Sequence, residues 1–199
     1  MINAKPELRQ HLRQTLQGVT IEQRQQWSQQ VARRLFDLPE VRKADKFLLF
    51  APLPEEIDTQ PIFLQLREMN KQVAFPFVGP QQVDMHCMWV EAWEELMPNS
   101  LGFPEPPFDQ EKEAAPETLE IILTPGLAFD RRGHRLGRGK GHFDRFFASR
   151  APQAFRIGLF YSVQEVDLLP VDIWDFPLDM ILTDQEIIRI IHVHETAAG

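Results

Sequence analysis

The sequence predicts an α/β fold, in which a layered, open and mostly parallel sheet is flanked by helices within a single compact domain. Short apolar runs typical of buried strands alternate along the chain with segments whose apolar residues recur at helical spacing. The length of 199 residues suits one domain, which we expect to span 1–199. A content of 43% hydrophobic and 25% charged residues is ordinary for a folded soluble chain.

Helical spacing and a capping pattern define the first two elements. The leucines within residues 5–16 recur every four positions, so they share one face of a helix that begins near Asn3. Thr20 and Gln23 have the spacing of a capping box, which predicts the start of a second helix. Pro39 is expected to end that helix, because proline has no amide hydrogen for the helical ladder.

The next part of the chain predicts strands around one further helix. Residues 46–52 form an apolar run typical of a buried strand. An acidic turn follows, and a helix from about Thr59 would turn its apolar residues at 62, 63 and 66 inward. Residues 72–78 and 85–90 are the next two expected strands.

A long acidic insert interrupts this order. Residues 91–120 contain nine acids, one lysine and five prolines. Such long loops are uncommon in compact domains unless they line or cover a site. We therefore interpret the acidic, proline-rich stretch around 91–118 as a lid over a site, and not as a separate domain.

The alternation of strands and helices resumes after the insert. Strands are expected at 119–124 and 156–161, separated by a glycine-rich loop and a helix over 140–149. Two terminal strands are expected at 180–183 and 187–192. This order favours one layered sheet, because strands that alternate with helices form parallel βαβ units.

Composition and charge exclude several function classes. The net charge of −8 argues against nucleic-acid binding, which needs clustered positive charge. The chain has no apolar run long enough for a membrane helix and no secretory apolar core, so we expect a cytoplasmic protein with no membrane partner. A single cysteine, Cys87, excludes an internal disulfide and a thiolate zinc site.

Positive charge is concentrated in one segment of this acidic chain. Residues 131–150 carry seven basic side chains and one acid, which gives a local charge of +6. Such a segment suggests a site for a small polyanion, although a solvated basic helix face explains the charge equally well.

The same segment is rich in glycine. Residues 124–147 read TPGLAFDRRGHRLGRGKGHFDRFF, a buried strand that continues into a loop with four glycines and then into a helix. Glycines allow a backbone to approach a ligand closely, while amide hydrogens and a helix N-terminus face an anion. Arg138 and Lys140 would add full charges. The spacing matches neither of the common nucleotide-binding glycine motifs, so the glycines alone leave phosphate binding as one alternative among several.

The whole string resembles the signature of the 5-formyltetrahydrofolate cyclo-ligases, also called 5,10-methenyltetrahydrofolate synthetases. PGLAFD at 125–130 and RLGRGKG at 135–141 match that signature, and Asp144 and Arg145 follow after two ring residues. Three further segments resemble family elements in the same order along the chain: KPELR at 5–9, EEIDT at 55–59 and PLDMILTD at 177–184.

The resemblance implies an enzyme that uses ATP and Mg2+ to cyclise 5-formyltetrahydrofolate to 5,10-methenyltetrahydrofolate, with release of ADP and phosphate. In that reaction the formyl oxygen attacks the γ-phosphate of ATP, and N10 then displaces phosphate from the activated carbon. Two alternatives remain: a related ATP-dependent enzyme with another substrate, or a non-catalytic regulator that binds nucleotide or folate. The expected assembly is a monomer or a weak homo-oligomer.

The resemblance also implies roles for individual residues. Glu56 would hold the folate, Asp144 and Asp179 would be the magnesium ligands, and Arg138 and Lys140 would be catalytic. The implied ATP contacts are Lys5, Arg9, Arg135, Leu136, Gly137, Arg138, Gly139, Lys140, Gly141, His142 and Phe143. The implied folate contacts of the same loop are Gly139, Lys140, Gly141 and His142.

Without the resemblance, these charged residues have simpler interpretations. Lys5 and Arg9 would be solvated charges on a helix face, and Asp144 would pair with nearby arginines. Asp179 would be a turn residue. Glu56 would merely place negative charge near the start of the next helix, where acids are favourable.

One dipeptide departs from the family pattern. His142 and Phe143 stand where the family commonly has two tyrosines. Ring stacking is therefore retained, whereas any role that needs the two phenolic hydroxyls is lost. His142 would either donate a hydrogen bond and titrate near neutrality or simply fill the space of a tyrosine ring.

Overall fold

The computed structural model describes residues 4–79, 84–99 and 102–191 and has a seven-stranded sheet at its centre. The helices are α1 (Ala4–Gln17), α2 (Ile21–Asp37), α3 (Pro39–Lys43), α4 (Gln60–Glu68) and α5 (His142–Ser149). The strands are β1 (Lys46–Leu48), β2 (Gln72–Phe77), β3 (His86–Trp89), β4 (Met97–Pro98), β5 (Pro104–Glu105), β6 (Ile121–Thr124), β7 (Ala128–Phe129), β8 (Arg135–Leu136), β9 (Phe155–Leu159), β10 (Met180–Leu182) and β11 (Ile187–Arg189).

The central sheet is mostly parallel, as predicted. Its strands lie in the order β11-β10-β9-β6-β1-β2-β3, and the five inner strands are parallel to one another. An antiparallel strand closes each edge, β3 against β2 and β11 against β10. Because the carboxyl ends of parallel strands meet at one edge of a sheet, the segments that follow β1 and β6 emerge side by side there.

The core lies on both faces of the sheet, which confirms the predicted layers. Alternate residues of β1 point to opposite faces. Phe47 packs into the cluster that contains the buried leucines of α1 and α2, whereas Leu48 packs with Phe146 and Phe147 of α5. Within the parts of the chain that the structure describes, no helix is both long and apolar enough to cross a membrane.

The predicted helices form for the predicted reasons. Leu12 and Leu16 of α1 are buried, as the spacing of four requires. Thr20 and Gln23 form both hydrogen bonds of the capping box at the start of α2. Helix α2 ends at Asp37, and Pro39 also opens the short α3 as one of its first residues, where its missing amide hydrogen costs nothing.

Several strands are shorter than the apolar runs that predicted them. The run at 46–52 gives only three residues of β1, because the chain then leaves the sheet toward two prolines and an acidic turn. The last strand, expected over 187–192, ends at Arg189, and residue 192 lies outside the described residues.

The acidic insert around 91–118 is mostly irregular, as expected, with a small hairpin of β4 and β5 and isolated 3-10 turns. A second hairpin, formed by β7 and β8, was not predicted within the glycine-rich segment. These strands have only two residues each, which is too short for an alternating pattern to be visible in the sequence.

Candidate active site

The carboxyl edge of the sheet opens into a cavity of about 430 Å³. Residues 50–51, which follow β1, and residues 125–126, which follow β6, line this cavity as neighbours. Every residue predicted to bind ATP, folate or magnesium also lines it, with the exception of Asp179. The cavity is therefore the place where the separate sequence motifs meet.

The acidic insert contributes to the cavity wall. Asn99, Phe103 and Glu105 line the cavity, and the Glu105 carboxylate accepts a hydrogen bond from the Val78 amide at 3.1 Å. Val78, which follows β2, and Met85, which precedes β3, add apolar side chains to the lining of the same cavity. This placement beside the cavity is consistent with a lid, and closure of the insert over a ligand stays a prediction.

Two glycines shape the loop at the cavity. Gly139 has φ 105° and Gly141 has φ 67°, left-handed conformations that other residues rarely adopt. A Cβ at Gly141 would also lie 3.0 Å from an Arg145 guanidinium nitrogen. Gly141 is the residue before α5, so the first turn of that helix begins at the cavity wall with its amide hydrogens not used by the helix.

Lys5 reaches the cavity from the first turn of α1. Its ammonium lies 2.6 Å from an oxygen of Asp172 and 2.5 Å from an oxygen of Asp175. Burial opposes the charge of Lys5, but hydrogen bonds to the two aspartates outweigh it and raise the pKa. Lys5 is therefore a charged cavity residue and not a solvated position on a helix face.

Arg138 bridges two glutamates. Its Nη2 donates to Glu55 at 2.8 Å and to Glu56 at 3.0 Å, and its Nε also donates to Glu56. The second Glu56 oxygen accepts the Leu53 amide hydrogen at 3.0 Å. The Glu56 side chain is only 8% exposed, and burial raises its pKa despite the partner arginine. Arg138, predicted to bind ATP, and Glu56, predicted to hold the folate, thus contact each other directly.

Arg135 is the most deeply buried cation of the site. Its side chain is 3% exposed, lies 5.6 Å from the Phe143 ring centre and 5.5 Å from that of Phe147, and donates to Asp144 at 2.9 Å. Burial lowers the pKa of Arg135, although Asp144 and Asp175 oppose this effect. The Nε atom of Arg135 is buried, and no residue that the structure describes accepts a hydrogen bond from it.

Two cations at the cavity are not neutralised by carboxylates. Arg9 donates to the carbonyl oxygen of Gly137 at 2.9 Å, which attaches α1 to the glycine-rich loop. Lys140 is exposed at the cavity. Neither side chain forms an ion pair with any residue that the structure describes, so both have charge available for an anion.

The two predicted magnesium ligands lie in different surroundings. Asp144 lines the cavity, and of its two oxygens only Oδ1 accepts a hydrogen bond from the described residues. Asp179 has both oxygens on the guanidinium of Arg156, at 2.9 and 3.0 Å. Among the described residues no cluster of three or more metal-binding side chains is present. Asp144 alone therefore fits an ion that is bound mainly by phosphate oxygens and water.

The departure at 142–143 is explained in part by packing. Phe143 packs against the cores on both sides of the sheet, so this ring is structural as well as cavity-lining. Burial, Arg145 and Lys140 together lower the pKa of His142, which keeps its imidazole neutral at neutral pH.

Three acids of the cavity region were not predicted from the sequence. Asp172 and Asp175 line the cavity and form ion pairs with Lys5. Glu55 forms an ion pair with Arg138. The only sequence signal for the first two was a pair of acids three residues apart beside prolines, in PVDIWDFP. That pattern is common in turns and does not indicate a distant lysine.

A buried carboxylate connects the cavity loops. Asp130 follows β7, is fully buried, and accepts hydrogen bonds from the amides of Arg132, His134 and Leu169 and from the Arg132 guanidinium. It thereby joins the β7–β8 hairpin, which contains Gly133 and precedes the glycines at 137, 139 and 141, to the segment that leads to Asp172.

Comparisons with known proteins agree on one family. The model of the 5-formyltetrahydrofolate cyclo-ligase family matches residues 1–184. An Escherichia coli K12 protein named 5-formyltetrahydrofolate cyclo-ligase is 32% identical over 178 residues, which are 88% of this chain and 98% of that protein. A Mus musculus protein of the same name is 27% identical over 189 residues, 90% and 93% of the two chains. The NMR structure of Aquifex aeolicus 5,10-methenyltetrahydrofolate synthetase has a TM-score of 0.81 at 31% identity and covers 96% of this chain and 98% of that one.

Asp130→Asn should lower the free energy of unfolding near neutral pH by about 2 kcal/mol, because an amide accepts weaker hydrogen bonds than a carboxylate. Burial opposes the charge of Asp130, but hydrogen bonds from Arg132, Leu169 and His134 outweigh it and lower its pKa. Such a carboxylate stabilises the fold fully above its unfolded pKa of about 3.9, and this contribution is lost as the pH falls through the native pKa.

Urea unfolding of both proteins from about pH 7 to about pH 3 checks this expectation. Stability should fall less steeply at the acid end in Asp130→Asn than in the parent. Asp37→Asn, at an exposed position, is the control and should keep the parent's slope. Equal slopes in all three proteins would show that Asp130 does not contribute in this way.

Proposed function

Because the chain belongs to the 5-formyltetrahydrofolate cyclo-ligase family and is a ligase, we propose that it converts 5-formyltetrahydrofolate to 5,10-methenyltetrahydrofolate with ATP as co-substrate. The observation that carries this proposal is the cavity itself. It combines a buried carboxylate, apolar walls and a cation-rich glycine loop within one volume. Two ligands of opposite character, a pterin and a triphosphate, therefore have complementary surfaces next to each other.

The chemistry requires that two bound molecules be aligned. The formyl oxygen is a poor leaving group, so it first attacks the γ-phosphorus of ATP and releases ADP. N10 then attacks the activated formyl carbon, loses its proton, and phosphate departs with the former formyl oxygen. Phosphoryl transfer depends mainly on positioning and on charge stabilisation, which are the properties that this cavity offers.

The phosphate subsite consists of the glycine-rich loop and the cations around it. Lys140 and Arg9 have charge available for phosphate oxygens, and Lys5 lies on the same cavity wall. The glycines at 137, 139 and 141 let the loop backbone approach the triphosphate. Positive charge beside the γ-phosphate stabilises the negative charge that is redistributed during transfer.

The folate subsite is built around Glu56. A buried carboxylate with two oxygens can accept paired N–H groups of a pterin ring. Phe50, Val78 and Phe103 supply apolar surface to the same cavity, and the rings of His142 and Phe143 can stack on the ligand. Burial of Glu56 makes these hydrogen bonds stronger than they would be in water.

Arg138 contacts both subsites in this proposal. While it donates to Glu55 and Glu56 through Nε and Nη2, its Nη1 makes no hydrogen bond with the described residues and can donate to phosphate. When the pterin engages Glu56, Glu55 still holds the guanidinium. Arg138 can therefore stay in place at the point where the two substrates react.

Magnesium fits this site through Asp144. The ion usually keeps several waters and bridges phosphates, so a single carboxylate at the cavity suffices as a protein contact. Mg2+ would neutralise phosphate charge. Asp179 would become a second contact only after separation from Arg156, and we retain it as a proposed ligand on the motif match alone.

We further propose that the enzyme acts in the cytoplasm on these small molecules as a monomer or weak homo-oligomer. The net charge of −8 supports the absence of a nucleic-acid partner. No oligomeric contact is needed to complete the cavity, because one chain supplies both proposed subsites.

An absorbance assay of purified protein tests the proposal directly. We expect methenyltetrahydrofolate to form from 5-formyltetrahydrofolate only when ATP and Mg2+ are both present. Omission of each component in turn is the control. No product, with ATP binding retained by calorimetry, would contradict the proposed substrate; loss of ATP binding as well would contradict the nucleotide subsite.

Lys140→Ala should lower kcat by about 10²-fold, the scale seen when one group that stabilises transition-state charge is removed. Its side chain is exposed and unpaired among the described residues, so the free energy of unfolding should change by no more than about 0.5 kcal/mol. Steady-state kinetics and urea unfolding measure the two quantities. Lys43→Ala, an exposed lysine of α3, is the matched control, and an unchanged kcat in Lys140→Ala would remove Lys140 from the mechanism.

Glu56→Gln should raise KM for 5-formyltetrahydrofolate by about tenfold or more, because charge-assisted hydrogen bonds to the pterin are lost. KM for ATP should stay nearly unchanged, since Glu55 still holds Arg138. The kinetics of Glu117→Gln, an exposed glutamate outside the cavity, provide the comparison. A rise in KM for ATP alone would show that our division of the cavity into two subsites is wrong.

A further inference from the structure

The first turn of α1, which carries Lys5, cannot by itself fix the position of the Lys5 ammonium. Helix α1 begins at Ala4, so Lys5 lies in the first turn. The first four amide hydrogens of a helix have no partner within it, and helix ends fray. A lysine also has a long, flexible side chain. A fixed ammonium at this position therefore needs support from outside the helix.

Asp172 and Asp175 supply that support from the other end of the chain. Both carboxylates lie within 2.6 Å of the Lys5 ammonium. The Asp175 oxygen that contacts Lys5 also accepts the Asp172 amide hydrogen at 2.8 Å, so a hydrogen bond joins the two acids to each other. The Lys5 and Asp175 side chains are 14% and 24% exposed, whereas that of Asp172 is 67% exposed.

The segment that carries these acids is itself anchored at both ends. At its start, the Leu169 amide donates a hydrogen bond to the Asp130 carboxylate at 3.1 Å. At its end, the Phe176 amide donates a hydrogen bond to Asp144 at 3.4 Å, and the Leu178 amide donates one to the Gly133 carbonyl oxygen at 2.8 Å. The acids are therefore fixed relative to the glycine-rich segment, and so is the lysine that they hold.

We propose that Asp175, assisted by Asp172, is a positioning residue that holds the Lys5 ammonium toward the phosphates of ATP. This inference rests on the proposed function, which assigns Lys5 to the phosphate subsite. An ammonium has three N–H donors. Two are used by the aspartates, and the third makes no hydrogen bond with the residues that the structure describes, so it can serve a phosphate oxygen. A donor fixed in advance loses less conformational entropy when the ligand binds.

The charges around Asp175 allow an opposite expectation, which makes the test decisive. A carboxylate beside a triphosphate repels it, so simple charge counting predicts tighter ATP binding after neutralisation of Asp175. Lys5 and Arg135 act on Asp175, and Arg135 also donates a hydrogen bond to Asp144. Burial opposes the charge of Asp175, but the Asp172 amide, Lys5 and Arg135 outweigh it and lower the pKa, so the residue stays ionised.

Asp175→Asn should raise KM for ATP by about tenfold, the effect of losing one well-formed charged hydrogen bond. KM for 5-formyltetrahydrofolate should stay close to the parent value, which a general folding defect would not allow. The melting temperature should fall modestly, because the Asp175 carboxylate also attaches α1 to its own segment. Asp172→Asn should have a smaller effect, because an exposed ion pair contributes less. Asp175→Glu should recover part of the loss. Asp167→Asn, an exposed position of the same segment, is the matched control.

A double-mutant cycle with Lys5→Ala shows whether Asp175 acts through Lys5. We expect Lys5→Ala and the double variant Lys5→Ala/Asp175→Asn to have the same raised KM for ATP. An unchanged or lowered KM in Asp175→Asn, or additive effects in the double variant, would overturn the inference while the role of Lys5 stands. An unchanged KM in Lys5→Ala would overturn the assignment of Lys5 to the phosphate subsite and the inference with it.

Calorimetric titration of each variant with ATP, without folate, separates binding from turnover. The affinities should follow the same order as the KM values. If Asp175→Asn melts well below the control, Asp172→Asn becomes the deciding variant, and its ATP affinity should fall below that of Asp167→Asn. Equal ATP affinities for those two variants would then overturn the inference.

Discussion

Charge that is removed from water must be compensated, and this requirement organises the carboxyl end of the sheet. Three cations of the cavity each lie against carboxylates: Lys5 with Asp172 and Asp175, Arg135 with Asp144, and Arg138 with Glu55 and Glu56. Each pair joins segments that are far apart in the chain, apart from Arg135 and Asp144. The same contacts that make burial of these charges tolerable therefore also hold the cavity walls together.

This arrangement divides the cavity cations into two groups with different tasks. The three compensated cations are paired with five carboxylates, so these groups together carry no net positive charge, and their part is to define where a ligand can lie. Arg9 and Lys140 have no carboxylate partner among the described residues, so their positive charge is available for an anion. The fully buried carboxylate of Asp130 serves the scaffold, because it joins the β7–β8 hairpin to the segment that carries the two aspartates. The paired cations thus define the shape of the cavity, whereas the positive charge available to a ligand comes from Arg9 and Lys140.

The fold was largely predictable because its signals are local. The leucine spacing of α1, the capping box of α2 and the apolar runs of the parallel strands are each contained within a few residues. Strand ends were less predictable, since an apolar run continues beyond the ladder wherever its residues turn toward the cavity. The two-residue strands β7 and β8 gave no periodic signal at all, and the turn between them is closed by backbone hydrogen bonds of Asp130 with Gly133 and His134.

Local sequence patterns were enough to predict the parallel α/β architecture, the cation-rich glycine loop and the charged residue types of the cavity. The partners of these charged residues follow from the three-dimensional fold. Lys5 meets acids 167 and 170 positions away, Arg138 joins glutamates 83 and 82 positions away, and Asp179, outside the cavity lining, has both oxygens on Arg156. A sequence motif shows which charged residues are present. Which opposite charge compensates each one depends on distances of a few ångströms that exist only after the sheet has brought the loops together.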